Sequence, residues 1–133
     1  MAQRKHIQEM NSECGHRDES TLDRLRDRLR AFAAARDWNQ FHSPKNLAIA
    51  LSVEAGELLE HFQWISDNDS LTLPPSKLGE IEEEMADVLL YLIRLADMLN
   101  VELVHAADKK IEANARKYPV EKSRGCSKKY TEL

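Results

Sequence analysis

The sequence predicts an all-α fold, a four-helix bundle assembled as a homo-oligomer. Three observations carry that expectation. Glycine and proline number only four each in 133 residues, too few for a many-stranded sandwich or barrel with turns at short intervals. Apolar residues recur at three- and four-residue spacing in several long segments. The prolines fall only near helix starts, in a loop, or beyond the last helix, where they do not interrupt an α-helical ladder.

Residues 1–19 are polar, carry scattered charge and show no period, so they read as a flexible N-terminal arm. The helical domain is expected over residues 20–118. Its first helix spans 21–37, with Ser20 as cap, Asp23 three residues on, and Leu22, Leu25, Leu29 and Phe32 at helical spacing. A turn over 38–42 follows. Ser43-Pro44 opens the second helix as a cap followed by proline at the first helical position, and the pattern continues to 65. Residues 66–76, with Ser-Asp-Asn-Asp-Ser and Pro74-Pro75, read as a loop. A third helix is expected over 77–100 and a fourth over 101–117, stopping before Pro119. Residues 119–133 form a basic tail. The stretch 88–93 is apolar almost all round. A helix of that kind is buried on more than one side, which four helices alone hardly provide. A dimer or tetramer is therefore expected.

Charge and cysteines narrow the function. Asp and Glu total 23 against 19 Lys and Arg, net −4, which argues against a basic face for a nucleic acid polymer. No stretch approaches the roughly 20 apolar residues of a membrane span, and none is an apolar leader. Cys14 and Cys126 have no Cys or His at metal-ligand spacing, and a single long-range pair is not a disulfide framework. These features predict a cytoplasmic protein with free thiols.

The chemistry lies in two acidic pairs, Glu54-Ala-Gly-Glu57 and Glu84-Met-Ala-Asp87. Each pair is spaced i,i+3, so each shares one helix face. On a helical wheel, Leu47, Leu51, Ala55, Leu58, Phe62 and Ile65 form one apolar sector, with Glu54 and Glu57 on its border. Ile81, Val88, Leu92, Leu95 and Leu99 form another, bordered by Glu80, Glu84, Asp87 and Tyr91. If the two helices pack antiparallel, four carboxylates converge. Like charges about 6 Å apart repel by roughly 3 kcal/mol at an effective dielectric near 20. Such a cluster raises its pKa values or takes a cation. An all-oxygen donor set suits Mg²⁺, with Mn²⁺ as a substitute, and such sites handle phosphates. The competing reading is a non-enzymatic helical interaction module whose acids form a solvated stripe. A ferritin-like di-metal site would need two Glu-x-x-His motifs on core helices, and only Glu102…His105 fits.

Other residues bear two readings. Trp38 and Trp64 are core anchors or base-stacking faces. His42 is a turn residue before a helix start, and His61 sits one turn past Glu57. Asn114 lies mid-helix, where asparagine is a poor helix former and a hydrogen-bonding role is favoured.

Five segments in order resemble the MazG-type, all-α nucleoside triphosphate pyrophosphatases, in particular their dCTP pyrophosphatase branch. They are Arg36-Asp-Trp-Asn-Gln-Phe-His-Ser-Pro-Lys-Asn-Leu47; Glu54-Ala-Gly-Glu57 running on to His61-Phe-Gln-Trp64; Glu83-Glu-Met-Ala-Asp-Val-Leu-Leu-Tyr-Leu92; Lys109-Lys-Ile-Glu-Ala-Asn-Ala-Arg-Lys-Tyr-Pro119; and Ser123-Arg-Gly with Lys129-Tyr-Thr-Glu-Leu133. The resemblance implies hydrolysis of a (d)NTP, dCTP or a modified dCTP, to monophosphate and pyrophosphate. It implies Mg²⁺ on Glu54, Glu57, Glu84 and Asp87, with one of these carboxylates as base toward the attacking water. It places Trp38, Phe41, His42, Trp64, Asp87, Tyr91 and Asn114 near the nucleotide. Two departures stand out: Ala55 follows Glu54 where many members have a second Glu, and Leu29 and Arg30 stand where related sequences carry a histidine. The implied role is nucleotide pool sanitation.

Overall fold

The computed structural model describes residues 21–133, so the expected arm and the Ser20 cap lie outside it. Among the described residues the secondary structure is helical, with no strand. The elements are α1 (Thr21–Ala34), a 3₁₀ turn (Trp38–Phe41), α2 (Pro44–Glu60), α3 (Asp67–Ser70), α4 (Pro75–Met98), α5 (Leu103–Lys117), α6 (Val120–Ser123) and a final 3₁₀ turn (Tyr130–Glu132).

Local chemistry explains where these elements begin and end. Asp37 takes a left-handed conformation (φ 54°), which ends the first helical stretch before the expected boundary and tips the chain into the Trp38 turn. Gln40 Nε2 donates to the Asp37 carbonyl and carboxylate at 2.9 Å, holding that turn. The Ser43 hydroxyl accepts the Asn46 N–H at 3.2 Å and Pro44 follows at the first helical position, as expected. The expected loop contains a helical turn, α3. Its Ser66 hydroxyl accepts the Asp69 N–H and donates to the Asp69 carboxylate at 2.7 Å, a capping arrangement within the Ser-Asp-Asn-Asp run. Helix α4 starts at Pro75 rather than after Ser76, because proline's fixed φ suits the first turn. It ends in a Schellman motif: Asn100 is left-handed (φ 54°), its N–H reaches Asp97 O, and the Val101 N–H reaches Ala96 O at 2.8 Å.

The longest helix, α4, is the axis of the unit, and α2 and α1 both pack along it. Contacts down the α2–α4 seam run in opposite chain directions. His42 meets Arg94, Glu54 meets Glu84 and Asp87, and His61 meets Glu80. The pair is therefore antiparallel. Leu47, Ile81, Ile93, Ala33 and Ala96 form the buried core. The buried stripe of α4 departs from the wheel in its C-terminal half, where Ile93 and Ala96 are covered while Leu92 and Leu99 remain exposed. The reason is α1, which lies against that end of α4 and ties Arg30 to Asp97.

Helix α5 forms as expected but has no buried residue and makes no extensive packing with the other helices. The described helices therefore close three elements, not four, around the core. The C-terminal tail is not simply extended: α6 follows Pro119, and Tyr130 folds back edge-on to Tyr118, ring centroids 5.9 Å apart. Cys126 is exposed, and Cys14 lies outside the described residues.

Candidate functional site

The α2–α4 seam carries the acids. One carboxylate oxygen from each of Glu54, Glu84 and Asp87 lies within 4.8 Å of the others. Glu54 and Glu84 are half-buried and Asp87 is exposed. Burial, and then the charges of Glu57 and Asp87, push the Glu54 carboxyl above its ordinary value. Burial and the Glu57 charge do the same to Glu84, opposed by His61. Glu57 is outside the tight trio but acts electrostatically on Glu54 and Glu84. Three to four oxygen donors with unfavourable mutual repulsion are a donor set for a hard divalent cation.

Next to the trio is a cavity of about 460 Å³, roofed by α1 and the Trp38 turn against α4. Its apolar wall is Leu25, Leu29, Phe32 and Leu90, and Trp38 and Tyr91 add aromatic faces. The polar groups on its lining are Arg28, His42, Asp87 and Arg94. Trp38 is held edge-on by Phe32, with ring centroids 5.6 Å apart, and by His42 at 6.3 Å. His42 accepts a hydrogen bond at Nδ1 from the Arg94 Nε–H at 3.2 Å. Burial first, then the Arg94 charge, lowers the His42 pKa and favours the neutral ring. Such a cavity, apolar with a few convergent polar groups, fits a nucleobase-sized ligand. Asp87 belongs to both features, since it lines the cavity and completes the acidic trio.

The structure does not bring all the expected residues together. Trp38, His42, Asp87 and Tyr91 line the cavity; Phe41, Trp64 and Asn114 do not. Trp64 is 88% exposed, because α2 ends at Glu60 and the following turn carries the indole outward. Asn114 is exposed on α5, away from the helices that build the seam. His61 Nδ1 sits 3.8 Å from a Glu80 carboxylate oxygen, at the rim. Sequence reading missed Arg94 and Asp97. The available signal was a lone arginine inside Leu-Leu-Tyr-Leu-Ile-Arg-Leu-Ala, an ionic residue in an apolar run.

Comparison with known proteins shows the family. A family model described as the MazG-like family matches residues 49–133. The chain is 46% identical over 117 residues to dCTP pyrophosphatase 1 of Mus musculus, covering 86% of this chain and 69% of that protein. Against dCTP pyrophosphatase 1 of Homo sapiens the identity is 44% over the same length and coverage. The fold is similar to that of a pyrophosphatase from Archaeoglobus fulgidus, with TM-score 0.70 and 44% identity, covering 74% of this chain and 92% of that one. With the family model spanning both acidic segments and relatives of this similarity, the chain belongs to the MazG-like family and is an enzyme of the nucleoside triphosphate pyrophosphatase class.

Proposed function

We propose that the chain hydrolyses dCTP, or a dCTP modified on its base, to the monophosphate and pyrophosphate, keeping the cytoplasmic nucleotide pool clean. The observation that carries this reading is Asp87, shared by a carboxylate cluster and an aromatic-walled cavity. A base seated between Trp38 and Tyr91 puts its phosphates toward the carboxylates. The names of the similar proteins support dCTP as the substrate.

Glu54, Glu84 and Asp87, with Glu57 beside them, would hold Mg²⁺, or Mn²⁺ in its place. The bound cation supplies charge neutralisation for the triphosphate oxygens and lowers the pKa of water. The donor chemistry fits: all ligands are carboxylates, and the pKa values of Glu54 and Glu84 are raised by burial first and then by the neighbouring acids, both of which a cation offsets. The attacking water oxygen bonds to the α-phosphorus, the bond from that phosphorus to the bridging oxygen breaks, and pyrophosphate leaves. One of the carboxylates at the site takes the water's proton. The catalytic unit is residues 20–118, with the basic tail 119–133 packed beyond it. Assembly as a dimer or tetramer would cover the exposed apolar residues of α2, α4 and α5.

Incubation with dCTP and Mg²⁺ tests this: pyrophosphate release without orthophosphate is the expected result. Glu57→Gln and Asp87→Asn should lower turnover by at least a hundredfold with the helical circular dichroism intact. Full activity in either variant would remove the site assignment.

A further inference from the structure

Among the described residues Arg94 is the one charged residue that is buried, 6% exposed, and each of its three guanidinium nitrogens donates a hydrogen bond. Nε–H donates to His42 Nδ1 at 3.2 Å, one Nη–H to Asn39 Oδ1 at 2.6 Å, and the other to Asp97 Oδ2 at 3.0 Å. Asp97 is gripped from α1 by Arg30, at 2.9 and 3.2 Å from Nε. The network thus ties α1, the Trp38 turn and α4 together around one edge of the cavity.

A guanidinium carries donors only and does not deprotonate. The imidazole nitrogen facing it must therefore present its lone pair. A neutral imidazole has one donor and one acceptor nitrogen, so with Nδ1 accepting, the proton sits on Nε2. Nothing in this depends on where the metal binds.

We propose that Arg94 is a positioning residue for base recognition: it fixes His42 in the Nε2–H tautomer, so that this ring offers a fixed N–H donor and favours a base presenting an acceptor to it. The inference rests on the nucleotide reading above and adds a selection rule to it. Cytosine and thymine differ in this respect at the ring nitrogen of the pairing edge, which is a bare acceptor in cytosine and carries a proton in thymine. Two donors facing each other leave both unsatisfied, whereas donor and acceptor pair. Asn39 and Asp97 contribute by each holding one of the two Nη groups, so the Nε–H stays aimed at His42.

Two variants test the idea. In Arg94→Lys the ammonium keeps the charge but loses the planar fork. In His42→Asn the side-chain oxygen still accepts from Arg94, so the network stays satisfied while the distal donor is lost. The ¹⁵N shifts of the His42 ring in the whole chain, assigned by difference from His42→Asn, report the tautomer without any nucleotide. We expect a bare Nδ1 and protonated Nε2 in the parent, and a mixture of tautomers in Arg94→Lys. In steady-state assays with dCTP and dTTP, both variants should raise KM for dCTP about tenfold or more, the loss of one hydrogen bond to a buried partner. The preference for dCTP over dTTP should fall with it, and kcat should move far less than KM. A proton on Nδ1 in the parent overturns the proposal, as does an unchanged dCTP-to-dTTP ratio in His42→Asn. If the tautomer is as expected but neither nucleotide is hydrolysed, the nucleotide reading fails and base selection with it, while the Arg94 lock on the ring stands.

Discussion

Asp97 shows how one side chain can serve stability and site geometry together. The Arg30 guanidinium, and then Arg94, hold its carboxyl below the ordinary 3.8, against an opposing contribution from burial. A depressed folded-state pKa contributes stability that is present above the unfolded value and is lost as pH falls through the folded one. We therefore expect the parent to lose this stability only below about pH 4, the unfolded value. Asp97→Asn should be less stable at neutral pH by about 1–3 kcal/mol, with a flatter acid limb, measured by urea unfolding from pH 7 to pH 3. The acidic trio behaves in the opposite sense, since burial of Glu54 and Glu84, and then repulsion among the acids, opposes folding until a cation arrives. Millimolar Mg²⁺ should raise the thermal midpoint of the parent and leave that of Asp87→Asn nearly unmoved, because a ligand stabilises only the state that binds it. The carboxylates were legible in the sequence because i,i+3 spacing fixes which side chains share a face. Arg94 was not, since its partners His42 and Asn39 are more than fifty residues away in the chain.

At the level of elements, caps and breaks decided the boundaries. The Ser43-Pro44 start was readable, because a capping hydroxyl and a proline at the first helical position are local signals. The Ser66–Asp69 cap of α3 was written in the same local code, and the neighbouring prolines masked it. The break between α4 and α5 depends on Asn100 in the left-handed region. Asn100→Ala should cost about 1 kcal/mol in urea unfolding, the left-handed penalty of a residue with a Cβ and no side-chain amide. Asn100→Gly should be neutral or stabilising, which separates backbone strain from any loss of side-chain contact. The seam itself, α2 against α4, could be anticipated in its antiparallel sense but not in its exact register at the C-terminal half, where α1 shifts the covered stripe to Ile93 and Ala96.

At the scale of the whole molecule, exposed apolar surface is the dominant feature. Ile49, Val53 and Leu59 on α2, Met85 and Leu89 on α4, and Val104 and Ile111 on α5 are all exposed. Helix α5 has apolar residues at helical spacing yet buries none of them within the chain. Exposed apolar residues gathered on one helix are the kind of surface a partner can cover. If a second copy covers α5, Val104→Asp with Ile111→Asp should reduce the assembled mass in sedimentation and lower activity, while the α1–α2–α4 unit keeps its helicity. Unchanged mass in the double variant would rule out α5 as the contact. Among the described residues no helix is long and apolar enough to cross a membrane.

The sequence by itself determined the helices and the faces that carry the acids, because period and capping act over a few residues. It also carried the family, through motifs in a fixed order. Only the tertiary structure decided which groups meet. It joined Asp87 to both the carboxylate trio and the cavity, left Trp64 and Asn114 outside that cavity, and set Arg94 against His42. The reason is physical: periodicity specifies a face, whereas a contact also needs the angle, register and ending of a second helix, which packing alone supplies.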